Sequence, residues 1–364
     1  MAAPQRTEPA NLPPDPGFVD TTLRQVVRVS SGGGSMRVRL SNAFGTAPLC
    51  LSAVHVARSG GGGTIVPGSD RRLTFRRKSS TTMAPGTQVV SDALRVRLAA
   101  LSDVVVTLHL RTSTDAITGH PGSRCTSYLA PGQQVSAVAL VGVVPVDHWY
   151  FLTGIDVVAD ANAAALVVLG DSITDGRGSP TNGNGRWTDF LARRLLADRA
   201  TAHVAVLNAG IGGNCVVSGG LGPPALERLD WDVLAQSGAR WLVVFAGIND
   251  LGTRSATARQ LIDAYGQIAV RARSKGLRVY GATLLPCGGS FYDTPELEAA
   301  RQSVNAWIRA TGAFDAVLDF EQVLRDPQSP TRLSRAAESP DGLHPANRGY
   351  QVLADSIDLR LFGR

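Results

Sequence analysis

No stretch of this chain approaches the ~18 consecutive uncharged apolar residues that a membrane-spanning helix needs, so no transmembrane helix is expected. Cysteine is scarce. Cys50, Cys125, Cys215 and Cys287 form no CxxC pair, which removes a zinc or thioredoxin-type site. Two fall in each half, so one disulfide per half is compatible with the count, and free, partly buried thiols are the simpler reading. Also missing are a P-loop lysine motif, GxGxxG and HExxH. The GxSxG elbow is absent because position 174 is Thr174. The opening Met1-Ala2-Ala3-Pro4-Gln5 lacks a basic region followed by an apolar one and does not read as a secretory signal.

What is present is an ordinary globular composition, 44% apolar and 18% charged over 364 residues, a length that suggests two domains. The net charge is +6, but the basic residues are scattered, and their densest run is short: Arg71, Arg72, Arg76, Arg77 and Lys78. With no RNA-binding aromatic motif, zinc-finger spacing or long basic tail, a solvated basic surface is expected and a nucleic-acid partner is not.

Residues 1–16, rich in Pro, Ala and polar groups, read as an extended lead-in. From there to residue 158 the rhythm is that of strands. Met36-Arg37-Val38-Arg39-Leu40 alternates apolar with polar, as half-buried strands do. Further candidates are Val26–Val29, Leu49–Ala57, Leu73–Arg76, Leu94–Leu98, Val104–Leu110, Val135–Val141 and Tyr150–Val157, with Gly-, Ser- and Pro-rich turns between them. Closely spaced strands without helices predict an all-β sandwich or jelly roll over 17–158.

Near residue 160 the pattern changes. Five apolar runs, Ala164–Leu169, Val204–Asn208, Trp241–Ala246, Leu277–Thr283 and Ala316–Asp319, alternate with helical segments at about 186–199, 223–236, 255–275, 294–311 and 347–361. This predicts an α/β domain over 159–364, with a five-stranded, mostly parallel sheet covered on both faces. In such sheets chemistry collects in loops beyond the carboxyl ends of the strands.

Four segments pass that filter. Gly170-Asp171-Ser172-Ile173-Thr174-Asp175-Gly176 follows the first run and places a serine at a turn into a helix, where backbone N–H groups favour negative charge. A serine hydroxyl needs a base to take its proton, and the chain has only six histidines. His55, His109 and His148 lie on or beside strands of the β half, His120 lies in a loop there, and His203 opens the second strand at the wrong end of the sheet. His344 remains, in Asp341-Gly342-Leu343-His344-Pro345. A carboxylate three residues earlier can turn back onto Nδ1 and leave Nε2 free for the serine. Donors for an oxyanion can come from Asn208-Ala209-Gly210-Ile211-Gly212-Gly213-Asn214, from Gly247-Ile248-Asn249-Asp250 and from the Ser172 N–H. Taken singly, each segment has a plainer reading as a helix cap, a turn glycine, an Asx-turn or a surface histidine. Together they meet every requirement of one mechanism once.

These four blocks, Gly170-Asp171-Ser172, Gly213 in its turn, Gly247-Ile248-Asn249-Asp250 and Asp341-xx-His344, resemble in order and spacing those of the SGNH/GDSL hydrolases, over about residues 163–361. The resemblance implies a flavodoxin-like three-layer fold, no metal or organic cofactor, Ser172 as nucleophile, Asp341 and His344 as its triad partners, and Ser172, Gly213 and Asn249 as the oxyanion hole. The β half resembles the sandwich that precedes the catalytic domain in some secreted bacterial members, which implies a secreted or periplasmic protein. Asp171, Asn214, Cys215 and His120 are candidates for the pocket wall, with Cys287 also near it. Asp175 and Arg177, which follow the nucleophile, have two readings, as residues lining the site and, more simply, as salt-bridged surface.

The expected activity is hydrolysis of short-chain carboxylic esters through an acyl-enzyme. Two alternatives are an acetylesterase acting on acetylated polysaccharide and a non-catalytic carbohydrate-binding protein on a hydrolase scaffold. The substrate is a small-molecule or glycan ester in the first two readings. The sequence sets neither acyl length nor oligomeric state.

Overall fold

The computed structural model describes every residue except Pro16 and Arg364. Pro16 closes the expected lead-in and Arg364 the expected catalytic domain, and both lie outside the described residues. The chain forms two compact units, Met1–Ala161 and Asn162–Arg364.

The first unit is built of strands. Its larger antiparallel sheet has the order Val144–Val146, Ser127–Pro131, Thr21–Arg28, Asp103–Leu110, Leu49–Gly61. A smaller one sets Gly33–Ser41 beside Leu152–Val158 on one edge and Gln88–Val90 and Leu94–Leu98 on the other. Apolar side chains of both sheets meet in one core, with Leu23, Val54, Val106 and Leu108 from the larger and Met36, Val38, Leu40 and Leu152 from the smaller. That is the packing of a sandwich, and the alternation along Met36–Leu40 is its cause. Gln5–Arg6 of the lead-in pairs with Thr118–His120 and is not simply extended chain.

Two expected strands are turns. Across Val135–Val141 the backbone carbonyls of Val135, Ala137 and Val138 accept from the buried Arg24 guanidinium, which occupies groups a ladder would need. Within Leu73–Arg76 the chain reverses. Arg76 and Arg77 take positive φ, and their N–H groups donate to Asp92.

In the second unit the five apolar runs are strands: β1 (Ala164–Gly170), β2 (Val204–Gly210), β3 (Ala239–Phe245), β4 (Arg278–Ala282) and β5 (Ala316–Leu318). All pair in parallel, in the order β2-β1-β3-β4-β5. Every residue of β1 is buried, as both-face coverage by helices requires. The helices are α1 (Ser172–Asp175), α2 (Trp187–Ala197), α3 (Ala225–Leu229), α4 (Ile248–Gly252), α5 (Ala258–Ser274), α6 (Pro295–Ala310), α7 (Phe320–Leu324) and α8 (Asn347–Ser356). The α2 helix packs on α8, and α5 on α6. The strand order reverses at β1, and a crevice opens beyond the carboxyl ends at such a point. The loops leaving β1, β2 and β3 carry Ser172, Gly213 and Asn249.

Candidate active site

Ser172 is the first residue of α1. Asp171 caps that helix, accepting the Ile173 N–H at 2.9 Å. The turn packs tightly on the next strand: a Cβ on Gly210 would lie 2.4 Å from the Asp175 nitrogen, so only glycine fits there. Ser172 is buried to 6% exposure, and its Oγ lies 2.8 Å from His344 Nε2. His344 Nδ1 lies 2.7 Å from Asp341 Oδ2. The second carboxylate oxygen accepts from the N–H groups of Leu343 and His344 and from the Ser339 hydroxyl. Burial pushes the Asp341 carboxyl up, but these hydrogen bonds, led by the His344 N–H and imidazole, outweigh it and hold it far below the usual carboxylate range. The ionised carboxylate therefore fixes the imidazole tautomer that leaves Nε2 open to the serine proton.

Gly213 and Asn249, the other residues expected to donate to an oxyanion, lie in the loops leaving β2 and β3. Gly213 takes φ +69°, a left-handed conformation that turns the chain behind the strand end. Neither the Ser172 N–H nor the Gly213 N–H has an acceptor among the described residues. Asn249, near the start of α4, is 5% exposed. Its Nδ2 donates to the Asn214 carbonyl at 2.9 Å, and its Oδ1 accepts from the Tyr292 hydroxyl at 3.2 Å. One amide hydrogen of Asn249 is left for an anion.

Of the residues expected at the pocket wall, three belong to the second unit. Asp171, Asn214 and Cys215 are buried, and their polar atoms are engaged within the protein. Burial raises the Asp171 carboxyl to about 7, with the neighbouring Asp250 adding to the effect. His120 belongs to the first unit. It lies on the strand Thr118–His120 rather than in a loop, buried, with Nδ1 2.9 Å from the Ala3 carbonyl. Asp175 is buried rather than surface. Arg177 is exposed, with its Nε 4.0 Å from Asp341 Oδ2. All four cysteines are free thiols, and burial raises the Cys215 thiol and pushes Cys287 up to about 11.

Sequence reasoning did not find Tyr292, Ser339 or Arg228. Tyr292 also walls a cleft of about 430 Å³ with Leu251, Ala256, Phe291 and Leu297. Arg228 is an arginine with no exposed surface, a placement that residue type rarely takes.

A second serine–histidine–aspartate string lies in the first unit. Ser52 Oγ is 2.5 Å from His109 Nδ1, and His109 Nε2 is 3.0 Å from Asp20. Ser52 sits inside a strand where the ladder register shifts, and not at a helix N-terminus. The Asp20 carboxylate is 76% exposed. The side-chain amide near Ser52 is that of Gln133, at 3.3 Å.

Residues 168–352 match the GDSL-like lipase/acylhydrolase family. No curated protein matches the chain. Among solved structures, it is 24% identical to the lipase/acylhydrolase from Enterococcus faecalis, at a TM-score of 0.42 over 53% of this chain and 92% of that one. It is 20% identical to a lipolytic protein of the G-D-S-L family from Desulfitobacterium hafniense DCB-2, at 0.43 over 53% and 97%. It is 22% identical to a variant of an acetyl-xylooligosaccharide esterase from Geobacillus Stearmophilus, at 0.42 over 55% and 94%.

Proposed function

The chain belongs to the GDSL-like lipase/acylhydrolase family, and from that premise we propose that it is a serine esterase, cleaving short-chain carboxylic esters through an acyl-enzyme on Ser172. The observation that carries this reading is the unbroken line from Ser172 Oγ through His344 to Asp341, at 2.8 and 2.7 Å. His344 takes the hydroxyl proton as the oxygen attacks the acyl carbon. The Ser172 and Gly213 N–H groups and the Asn249 amide receive the negative charge that forms on the carbonyl oxygen. Fixed donors in a buried site lower that barrier more than solvent does. His344 then gives its proton to the departing alcohol, and a water molecule repeats the sequence on the acyl-enzyme.

Hydrolysis of p-nitrophenyl esters from two to sixteen carbons tests the reading, with Ser172→Ala as the control. The wild type turns over the short esters and the variant does not, while a fluorophosphonate labels only the wild type. Retention of most activity by Ser172→Ala overturns it. Acetate release from acetylated xylan, measured beside p-nitrophenyl acetate, reports whether the alcohol is a sugar.

A further inference from the structure

We infer that Arg228 is a positioning residue for the oxyanion hole, acting on Asn249 through Asn214. The inference rests on the reading of Asn249 as an oxyanion donor. Arg228 leaves α3 with no exposed surface and reaches under the carboxyl edge of the sheet. Its Nη2 donates to the Gly170 carbonyl at 2.9 Å, two residues before Ser172, and its Nη1 donates to the Ala209 carbonyl at the end of β2 at 2.7 Å. Nε and Nη2 both donate to the Asn214 side-chain oxygen, at 3.1 and 3.0 Å. Asp232, itself buried, balances the charge at 2.7 Å from Nη1.

Asn214 passes this restraint on. Its amide nitrogen donates to the Leu221 and Pro223 carbonyls, so the side chain is held at both ends. Its backbone carbonyl is the acceptor that holds Asn249 Nδ2, and its neighbour is Gly213. One planar cation thus sets the strand end that leads to the nucleophile, the glycine turn and, through one carbonyl, the aim of the Asn249 amide. A guanidinium suits this task because its donors form a rigid fork. An ammonium offers no such geometry.

The test compares Arg228→Met, Asn214→Ala and Asn249→Ala, singly and each of the first two combined with the third. Turnover of p-nitrophenyl acetate is expressed per active site titrated with a fluorophosphonate, so unfolded protein does not count. Asn249→Ala is expected to lower kcat about 100-fold or more, the loss typical of one oxyanion donor. Arg228→Met and Asn214→Ala are each expected to lower kcat ~10–100-fold, with KM within about twofold. Each should add little to Asn249→Ala, because residues that act as a unit are not additive. Asn214→Ala leaves the bonds from Arg228 to Gly170, Ala209 and Asp232 in place, and so decides the matter should Arg228→Met fail to fold. An unchanged kcat in Asn249→Ala overturns the donor reading itself. A loss in Asn249→Ala beside an unchanged Asn214→Ala, or losses that multiply in the double variants, overturns the positioning role.

Discussion

His344 Nε2 and Ser172 Oγ lie 2.8 Å apart although 172 residues separate them in the chain. Such a contact transfers a proton only when the imidazole is neutral and its hydrogen sits on Nδ1. The Asp341 carboxylate, 2.7 Å from Nδ1, sets that tautomer, and its hydrogen bonds keep it ionised far into acid. On the proposed mechanism the acid limb of kcat/KM is expected to come from His344 and not from the Asp341 carboxyl. Asp341→Asn is expected to lower kcat about 10⁴-fold at neutral pH, because the amide stabilises the wrong tautomer and no imidazolium. A pH–rate profile of the wild type should be flat from pH 8 to 9 and fall by tenfold per pH unit well below the midpoint. Because the buried Asp171 carboxyl also lies at about 7, the profile is repeated on Asp171→Asn: a limb that persists there belongs to His344, and one that disappears would assign it to Asp171.

Geometry alone offers two serines beside histidines, and Ser52 has the shorter contact. The difference lies in what surrounds them. On the proposed reading Ser172 is served by its own N–H, that of Gly213 and the Asn249 amide, whereas the side-chain amide beside Ser52 is that of the exposed Gln133. Ser52→Ala is thus expected to retain wild-type kcat/KM on p-nitrophenyl acetate within about twofold. Fluorophosphonate labelling of the Ser172→Ala chain, read by peptide mass, should leave Ser52 unmodified. Modification there would make it a reactive centre in its own right.

Much of this arrangement was legible because its signals are local. A carboxylate three residues before His344, with Gly342 at φ +68° between them, folds back by itself. The five apolar runs became β1–β5 because strands buried on both faces carry no polar alternation. Loops confuse that signal when another side chain takes up their backbone. Val135–Val141 has strand-like residues, yet Arg24, more than a hundred residues away, claims its carbonyls. Arg228 and Tyr292 gave no signal either. A buried arginine looks like a surface one in sequence, and the spacing of Arg228 to Asp232 is that of many exposed helix pairs. Their roles come from tertiary placement alone.

That distinction between buried and exposed pairs has a measurable consequence. Arg301 has no exposed surface, and its guanidinium is shared by Glu321 at 2.7 Å, Glu298 and the Leu284 carbonyl. Glu321→Ala leaves this cation with less compensation in a dry setting and is expected to cost about 3 kcal/mol of unfolding free energy. Arg259 and Asp263 make a similar pair on the surface of α5, with side chains 84% and 54% exposed. Asp263→Ala should cost under ~0.5 kcal/mol. Urea titrations of the three proteins, compared at equal slope, measure both values. Equal losses would show that burial is not what gives the Arg301 cluster its weight.

Asp171 links the nucleophile turn to pH in a different way. Its buried carboxyl titrates at about 7, far above the ~3.9 of an unfolded aspartate. The native state therefore holds this proton more tightly than the unfolded chain does. The resulting stability is present in full below pH ~4 and is lost as the pH rises through 7. Asp250 is also raised by burial and acts in the same direction. The wild-type Tm should accordingly fall between pH 5 and 8. Asp171→Asn keeps an oxygen for the Ile173 N–H but has nothing to ionise, and its uncharged amide also relieves Asp250. The substitution also turns an amide nitrogen toward the Gly247 N–H that the carboxylate accepted, so Tm at a single pH is not the readout. The slope is the decisive quantity, and it should be visibly shallower in Asp171→Asn than in the wild type when both are followed by calorimetry across this range. Identical slopes would mean that residue 171 is already ionised in the folded protein, with Arg228 compensating its charge.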